Sequence, residues 1–303
     1  MSSNDNVVIN PWNPNNVLLT EDDVHEIFTK AGFVNSREFI TINDLSYYQT
    51  AFIHPSYVKK HIFEKDVHNN ISLAKKPSGV LDLFEENNNY ENHEFMGDRV
   101  LDMSVAFYIC RKYPDRDQGF KTVLKTKLVR KNSLAKFAKY LDFPKHLIIS
   151  KQVEENTNSG RINDRILEDV MEAFICGLFL DQNDTPVYSE VLHNLGNQRL
   201  IGPGWQIANA FIENIIENVI DFEVLLLKEE NYKEQLLQYY QKEFKITPEY
   251  ISISVEGPPH NRIFTEGVLD KNGRITSRGL GKKKQEAQQH ASLCALKYFG
   301  VLV

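Results

Sequence analysis

The sequence predicts two units of different class: an all-α unit over residues 20–200 and a small α+β unit, ordered αβββα, over 230–300. Three observations carry the division. Up to residue 228 the apolar residues recur at helical spacing, and no Val/Ile/Thr alternation of strand type stands out before residue 245. Tyr250 to Val255 then alternates strictly, as a half-buried strand does. Asp270-Lys271-Asn272-Gly273 is a hairpin turn between two further short runs, Ile263–Leu269 and Arg274–Arg278. A chain of 303 residues fits about two domains at roughly 100–200 residues each.

In order along the chain, residues 1–19 are Asn-rich with Pro11 and Pro14 and read as a polar extended arm. Thr20 followed by Glu21, Asp22 and Asp23 is an N-cap with an acidic first turn, opening a helix to Lys30. A second helix covers Leu45–Ile53, before His54-Pro55. Residues 59–90 are polar, with Lys76-Pro77-Ser78-Gly79 and Asn87-Asn88-Asn89, and read as an inserted surface loop. Helical patterns follow over Glu91–Tyr113, ended by Pro114, and over 120–140 and 162–181. Residues 201–229 form a helical connecting segment from Pro203-Gly204 onward. The second unit opens with a helix over 231–243 and closes with one over 282–298, whose apolar side is Ala287, Ala291, Leu293 and Leu296.

Composition narrows the function classes. No apolar run approaches the ~18 residues of a membrane span. The polar start MSSNDN has no charged-then-apolar pattern, so secretion is not expected. Cys110, Cys176 and Cys294 are too far apart for a CxxC metal site or a disulfide framework, which suits a reducing, intracellular compartment. The net charge of −6 argues, on its face, against a nucleic-acid partner. It is unevenly spread, however. Residues 111–151 hold 12 Lys/Arg against 3 Asp/Glu, and residues 228–303 hold 12 against 9. Two basic zones therefore sit in an acidic chain, either as solvated helix faces or as a polyanion surface.

The acidic residues carry the chemistry. Glu91, Glu94 and Asp98 lie at i, i+3 and i+7, on one helix face. Asp169 and Glu172 lie at i, i+3 on another helix, inside an otherwise apolar run. Like charges stacked this way repel, and charges among apolar residues need a partner. A hard divalent cation such as Mg²⁺ prefers carboxylate oxygen and would offset the repulsion.

These residues resemble the ribonuclease III family. Glu91-Asn92-His93-Glu94-Phe95-Met96-Gly97-Asp98-Arg99-Val100-Leu101 looks like its signature ERLEFLGDAVL. Thr50-Ala51-Phe52-Ile53-His54-Pro55-Ser56-Tyr57 resembles its ALTHPSY-like segment, and Leu167-Glu168-Asp169-Val170-Met171-Glu172-Ala173 its LADxxEA segment. All three occur in the family's order, over roughly residues 20–200. The resemblance implies an all-α endonuclease domain that cleaves double-stranded RNA with Mg²⁺, Mn²⁺ being a substitute, as a homodimer through this domain in which each copy cuts one strand. It implies Glu94, Asp98, Asp169 and Glu172 as metal-binding acids and Glu91 as an acid that touches substrate or orients water. Arg165 stands where the family commonly has a Lys and would stabilise charge at the scissile phosphate. His54 is titratable but belongs to a segment that packs the core in the family.

Departures accompany the match. Asp117-Gln118-Gly119 stands where a Glu often precedes the Gly, which points to altered substrate binding more than to inactivity. Asn92, His93 and Arg99 depart from the signature, and Arg99 can pair with Asp102 or approach substrate. A catalytically inactive RNA-binding or ribosome-associated member is the alternative; the intact metal acids are what separates the two readings.

The second unit resembles a double-stranded RNA-binding domain. Gly257-Pro258-Pro259-His260-Asn261-Arg262-Ile263-Phe264 looks like its GPxHxxxF segment, and Gly279-Leu280-Gly281-Lys282-Lys283-Lys284-Gln285-Glu286-Ala287 like its GxGxSKKxA segment. Lys282, Lys283 and Lys284 at a helix N-terminus form an anion site, with Gln235, Gln238 and His260 as candidates for the minor groove of A-form RNA. In the first unit Lys121, Lys125, Arg130 and Lys131 are candidates to line the duplex.

Overall fold

The computed structural model describes residues 7–60, 71–155, 160–183, 203–222, 225, 232–258 and 262–301. The chain separates into two compact units, Met1–Ile220 and Asp221–Val303. Among the described residues no helix is long and apolar enough to cross a membrane.

Among the described residues the first unit is helical, with one small sheet. A short strand β1 (Val7–Ile9) leads to α1 (Glu21–Lys30), which opens on the expected cap: the Thr20 side chain accepts the Asp23 N–H, and Asp23 accepts the Thr20 N–H. Short helices α2 (Ser36–Phe39) and α3 (Leu45–Thr50) follow, then strand β2 (Ile71–Leu73). The long helix α4 (Glu91–Lys112) precedes α5 (Gln118–Val129), α6 (Lys131–Tyr140) and the single turn α7 (Lys151–Glu154). Helix α8 (Asp164–Asn183) is the core element: Phe174 holds its ring centroid 5.1–6.5 Å from those of Phe28, Tyr48, Phe52, Phe143 and Phe211. Helix α9 (Pro203–Val219) completes the unit.

Several expectations change. The helix expected over 120–140 is two helices, because Arg130 is extended (φ −69°, ψ 152°) and the Ser133 hydroxyl bonds the Lys127 carbonyl across the break. The described part of the arm is tied to the unit: β1 pairs in parallel with β2, and the Trp12 indole N–H donates to the Ala74 carbonyl at 2.6 Å. Asn13 and Asn16, polar in composition, are buried because their amides donate to the Ile149 carbonyl. The insertion is likewise part of the fold. Val80 and Leu83 join Trp12, Tyr57 and Ile148 in a small core; positions 61–70 lie outside the described residues. Within the expected connecting segment, α9 buries Ala208, Phe211, Ile212, Ile215 and Ile216 and lies in the first unit. The three cysteines are free, and burial pushes the Cys176 thiol up to about 12, which keeps it protonated and inert.

The second unit has the expected order: α10 (Tyr232–Glu243), an antiparallel sheet β3 (Glu249–Glu256), β4 (Ile263–Leu269) and β5 (Ile275–Gly281), and α11 (Lys284–Tyr298). Leu236, Tyr240, Val268, Ala291, Ala295 and Leu296 form its core. The third strand runs further than expected because Gly279 and Gly281 face α11 at backbone contact. An ideal Cβ on Gly279 would stand 2.1 Å from the Ala291 nitrogen, and one on Gly281 2.5 Å from the Ala287 nitrogen.

Candidate active site

Backbone contact between α4 and α8 at Gly97 sets the geometry. An ideal Cβ there would stand 1.8 Å from the Glu172 carbonyl oxygen. Glu94 and Asp98 flank Gly97 on α4, and Asp169 and Glu172 stand on α8, Glu172 at the contact itself. Their mutual influence shows in their acidities. Burial and then the charges of Asp98, Glu168, Glu94 and Asp169 raise Glu172 to about 8. Burial, then Asp169 and Glu91, raise Glu94; burial raises Asp169 as well. The acids that the sequence singled out on two helices, Glu91 included, therefore share one electrostatic site.

Their partners differ. Asp98 pairs with the exposed Arg99, whereas the sequence had offered Asp102 to that guanidinium; Asp102 is held at 2.7 and 2.9 Å by Lys125. Asp169 accepts the Tyr90 hydroxyl at 3.1 Å. The carboxylates of Glu94 and Glu172 have no hydrogen-bond or ion-pair partner among the described residues. Arg165, exposed in the first turn of α8, is close enough for its charge to lower Glu94, Glu168 and Asp169. His54 is no base: its Nδ1 accepts the Ser56 N–H at 2.9 Å, and burial lowers it to about 4, so it is neutral near pH 7 with that nitrogen engaged.

Two participants, Glu168 and Tyr90, were missed in the sequence, and a third, Lys131, was offered there only to the duplex. Glu168 is a further half-buried acid, raised by burial and by Asp169. Its position beside Asp169 gave no helical-face signal that could have singled it out. Lys131 acts on Glu168 rather than standing apart on a basic surface. Tyr90 precedes the acidic motif and looks like a loop aromatic.

The donor set fits a hard divalent cation: all oxygen, half-buried, and carrying negative charge that the protein leaves largely uncompensated. The side chains are not drawn together in advance. Among the described residues no three His, Cys, Asp or Glu groups form a ready-made ligand set.

The basic zone is less free than its composition suggests. Arg111 pairs with Glu213, Lys112 with Glu217, Lys139 with Asp164, Lys145 with Glu26 and Lys151 with Glu155. Lys121 donates to the Pro114 carbonyl at 3.3 Å. Gln118 is exposed at the start of α5, behind the Asp117 cap.

In the second unit Lys282, Lys283 and Lys284 are exposed at the start of α11, with Lys283 as N-cap and no side-chain cap. Glu286 accepts the Lys282 N–H at 2.8 Å and tempers this anion site. Gln238 is exposed and Gln235 half-buried, but neither lines the open groove of about 670 Å³ beside α11. Lys233, Glu234 and Leu237 of α10 do, with Tyr250, Gln285 and Gln289. His260 lies outside the described residues.

Comparison with known proteins agrees with this division. A family model described as "Ribonuclease III domain" matches residues 91–183, and one described as "Double-stranded RNA binding motif" matches 232–299. A protein named Ribonuclease 3 from Enterococcus faecalis is 31% identical over 264 residues, covering 87% of this chain and 95% of that protein. One of the same name from Streptococcus pyogenes is 29% identical over 257 residues, covering 85% and 92%. A solved nuclease domain of ribonuclease III from Campylobacter jejuni covers 65% of this chain and 98% of its own at 21% identity, with a TM-score of 0.43.

Proposed function

The chain belongs to the ribonuclease III family, and we propose that it is an endoribonuclease that hydrolyses double-stranded RNA with Mg²⁺, acting as a homodimer. The observation that carries the reading is the close approach of α4 and α8 at Gly97, with two acids on each helix near enough to act on one another's charge and two of the four carboxylates without a protein partner among the described residues. Glu94, Asp98, Asp169 and Glu172 would hold the ion. When bound, the ion would generate hydroxide near neutral pH and offset charge on the attacking and leaving oxygens of the phosphodiester. Arg165 and Lys131 add positive charge on the flank where phosphate oxygens would lie. Glu91, exposed on the first turn of α4, is free to orient water or a sugar hydroxyl.

One acidic site per chain suits one strand of a duplex, so two strands call for two chains. Phe95, Met96, Met103 and Phe107 leave α4 with an exposed apolar stripe (69%, 44%, 53% and 49% accessible) that a second copy would cover. An inactive member of the family would be expected to lack one or more of the four acids, and all are present.

The test is cleavage of a long RNA duplex. Cleavage is expected with Mg²⁺ and none with EDTA, and Asp98→Asn should cut no RNA while still retaining it in a filter-binding assay. A folded, Mg²⁺-replete wild type that leaves the duplex intact would remove this reading. Replacing Lys282, Lys283 and Lys284 together by Gln should weaken duplex binding roughly equally across sequences. It should also lower the slope of log K against log salt by about 2, as expected when two or three phosphate contacts are lost.

A further inference from the structure

Tyr90 has a place in this site that its sequence position does not announce. It is 3% exposed and is held from three directions. Its N–H donates to the Ile53 carbonyl at 3.0 Å, its ring meets the His54 ring edge-on at 5.6 Å, and its hydroxyl donates to Asp169 Oδ2 at 3.1 Å. His54 is itself pinned by the Ser56 N–H. The phenol thus reaches α8 from the segment that precedes α4, and little freedom is left to it. Among the four acids, Asp169 alone is fixed by a neutral donor; Asp98 is held by an exposed guanidinium.

We propose that Tyr90 is a positioning residue for the cation site: its hydroxyl immobilises one oxygen of Asp169 and leaves the carboxylate's charge intact for a divalent ion. This inference rests on the metal reading given above. The distinction from Arg99 is physical. A cation bonded to a carboxylate competes with an incoming metal, because it supplies the same positive charge. A neutral hydroxyl removes rotational freedom without cancelling charge, so ligand order is already present before the ion arrives. The burial and neighbouring acids that raise Tyr90 ensure that it keeps its proton and stays a donor. Outer hydrogen bonds of this kind typically alter metal affinity by ~10–100-fold.

The experiment uses metal-free full-length protein titrated with Mn²⁺, free Mn²⁺ being followed by electron paramagnetic resonance. Tyr90→Phe keeps the ring and removes the hydroxyl. Its Kd for Mn²⁺ should rise about tenfold, with the metal-free melting temperature within about 2 °C of wild type. Tyr57→Phe is the comparison: that phenol is equally buried in the same region but donates to the Leu81 carbonyl, and its loss should leave the Kd unchanged. An unchanged Kd in Tyr90→Phe would overturn the positioning role, as would an equal rise in Tyr57→Phe. A folded wild type that binds no Mn²⁺ would instead overturn the metal reading beneath it.

Discussion

Glu172→Gln should abolish cleavage and, in the absence of metal, make the protein more stable above neutral pH. The carboxylate of Glu172 is raised to about 8, first by burial and then by Asp98, Glu168, Glu94 and Asp169. Below about pH 4.5 it is protonated in both folded and unfolded chains and contributes no pH dependence. Between there and about 8 the unfolded chain releases the proton and the folded chain retains it, so stability falls as pH rises. Above about 8 the folded chain carries the buried anion and the loss is complete. Gln has nearly the same shape and no charge, so this slope disappears. The gain at pH 8.5 should be on the order of 2 kcal/mol, or about 5 °C in melting temperature, and near zero at pH 4.5. Thermal melting of EDTA-treated protein at the two pH values measures it, and equal melting temperatures at pH 8.5 would show that Glu172 is not strained. Activity should move the opposite way, falling by at least about 10²-fold. Mg²⁺ should stabilise the wild type clearly and the variant weakly, because the ion relieves the repulsion that Gln has already removed.

The acids were legible in the sequence because charge inside an apolar run is conspicuous, and because helical spacing places Glu94 with Asp98 and Asp169 with Glu172. Neighbours that only the fold supplies were not legible. Glu168 looks like half of an acidic pair on a solvated face until α4 and α6 pack around it. Tyr90 is one aromatic among Asn residues, and nothing local says that its hydroxyl meets a residue 79 positions away. Asn13 and Asn16 made the arm look solvated, since composition cannot show that a polar amide will satisfy a buried carbonyl. Three-residue strands such as Val7–Ile9 are too short to show a period of two. Segment charge was the most misleading quantity. Lys145 pairs with Glu26 and Lys139 with Asp164, so positive charge counted within 111–151 is partly neutralised by acids from outside it.

Gly97→Ala separates packing from local preference, because the two predict opposite signs. Alanine is the better helix former by about 1 kcal/mol, and Gly97 lies in a regular helical turn of α4. On propensity alone the substitution would stabilise. The added methyl, however, would stand 1.8 Å from the Glu172 carbonyl oxygen, 2.6 Å from its carbonyl carbon and 3.2 Å from the Cys176 nitrogen. All three are backbone atoms of α8, so no side-chain rotation relieves the clash. One helix must move away by more than an ångström, in the middle of the most extensive helix contact of the unit. Overpacking of this kind destabilises by about 1–3 kcal/mol and sometimes more, enough to outweigh propensity. A net loss of about 2 kcal/mol or greater is expected in urea unfolding. Cleavage should fall further than stability does. The same displacement carries Glu94 and Asp98 away from Asp169 and Glu172, and about 1 Å of misplacement at a reacting centre can lower rate by ~10²-fold. Unlike Glu172→Gln, this variant keeps every carboxylate, so a folded but inactive Gly97→Ala protein would trace activity to the spacing of the two helices. If the alanine variant were as stable and as active as wild type, the close approach at Gly97 would not be what assembles the site.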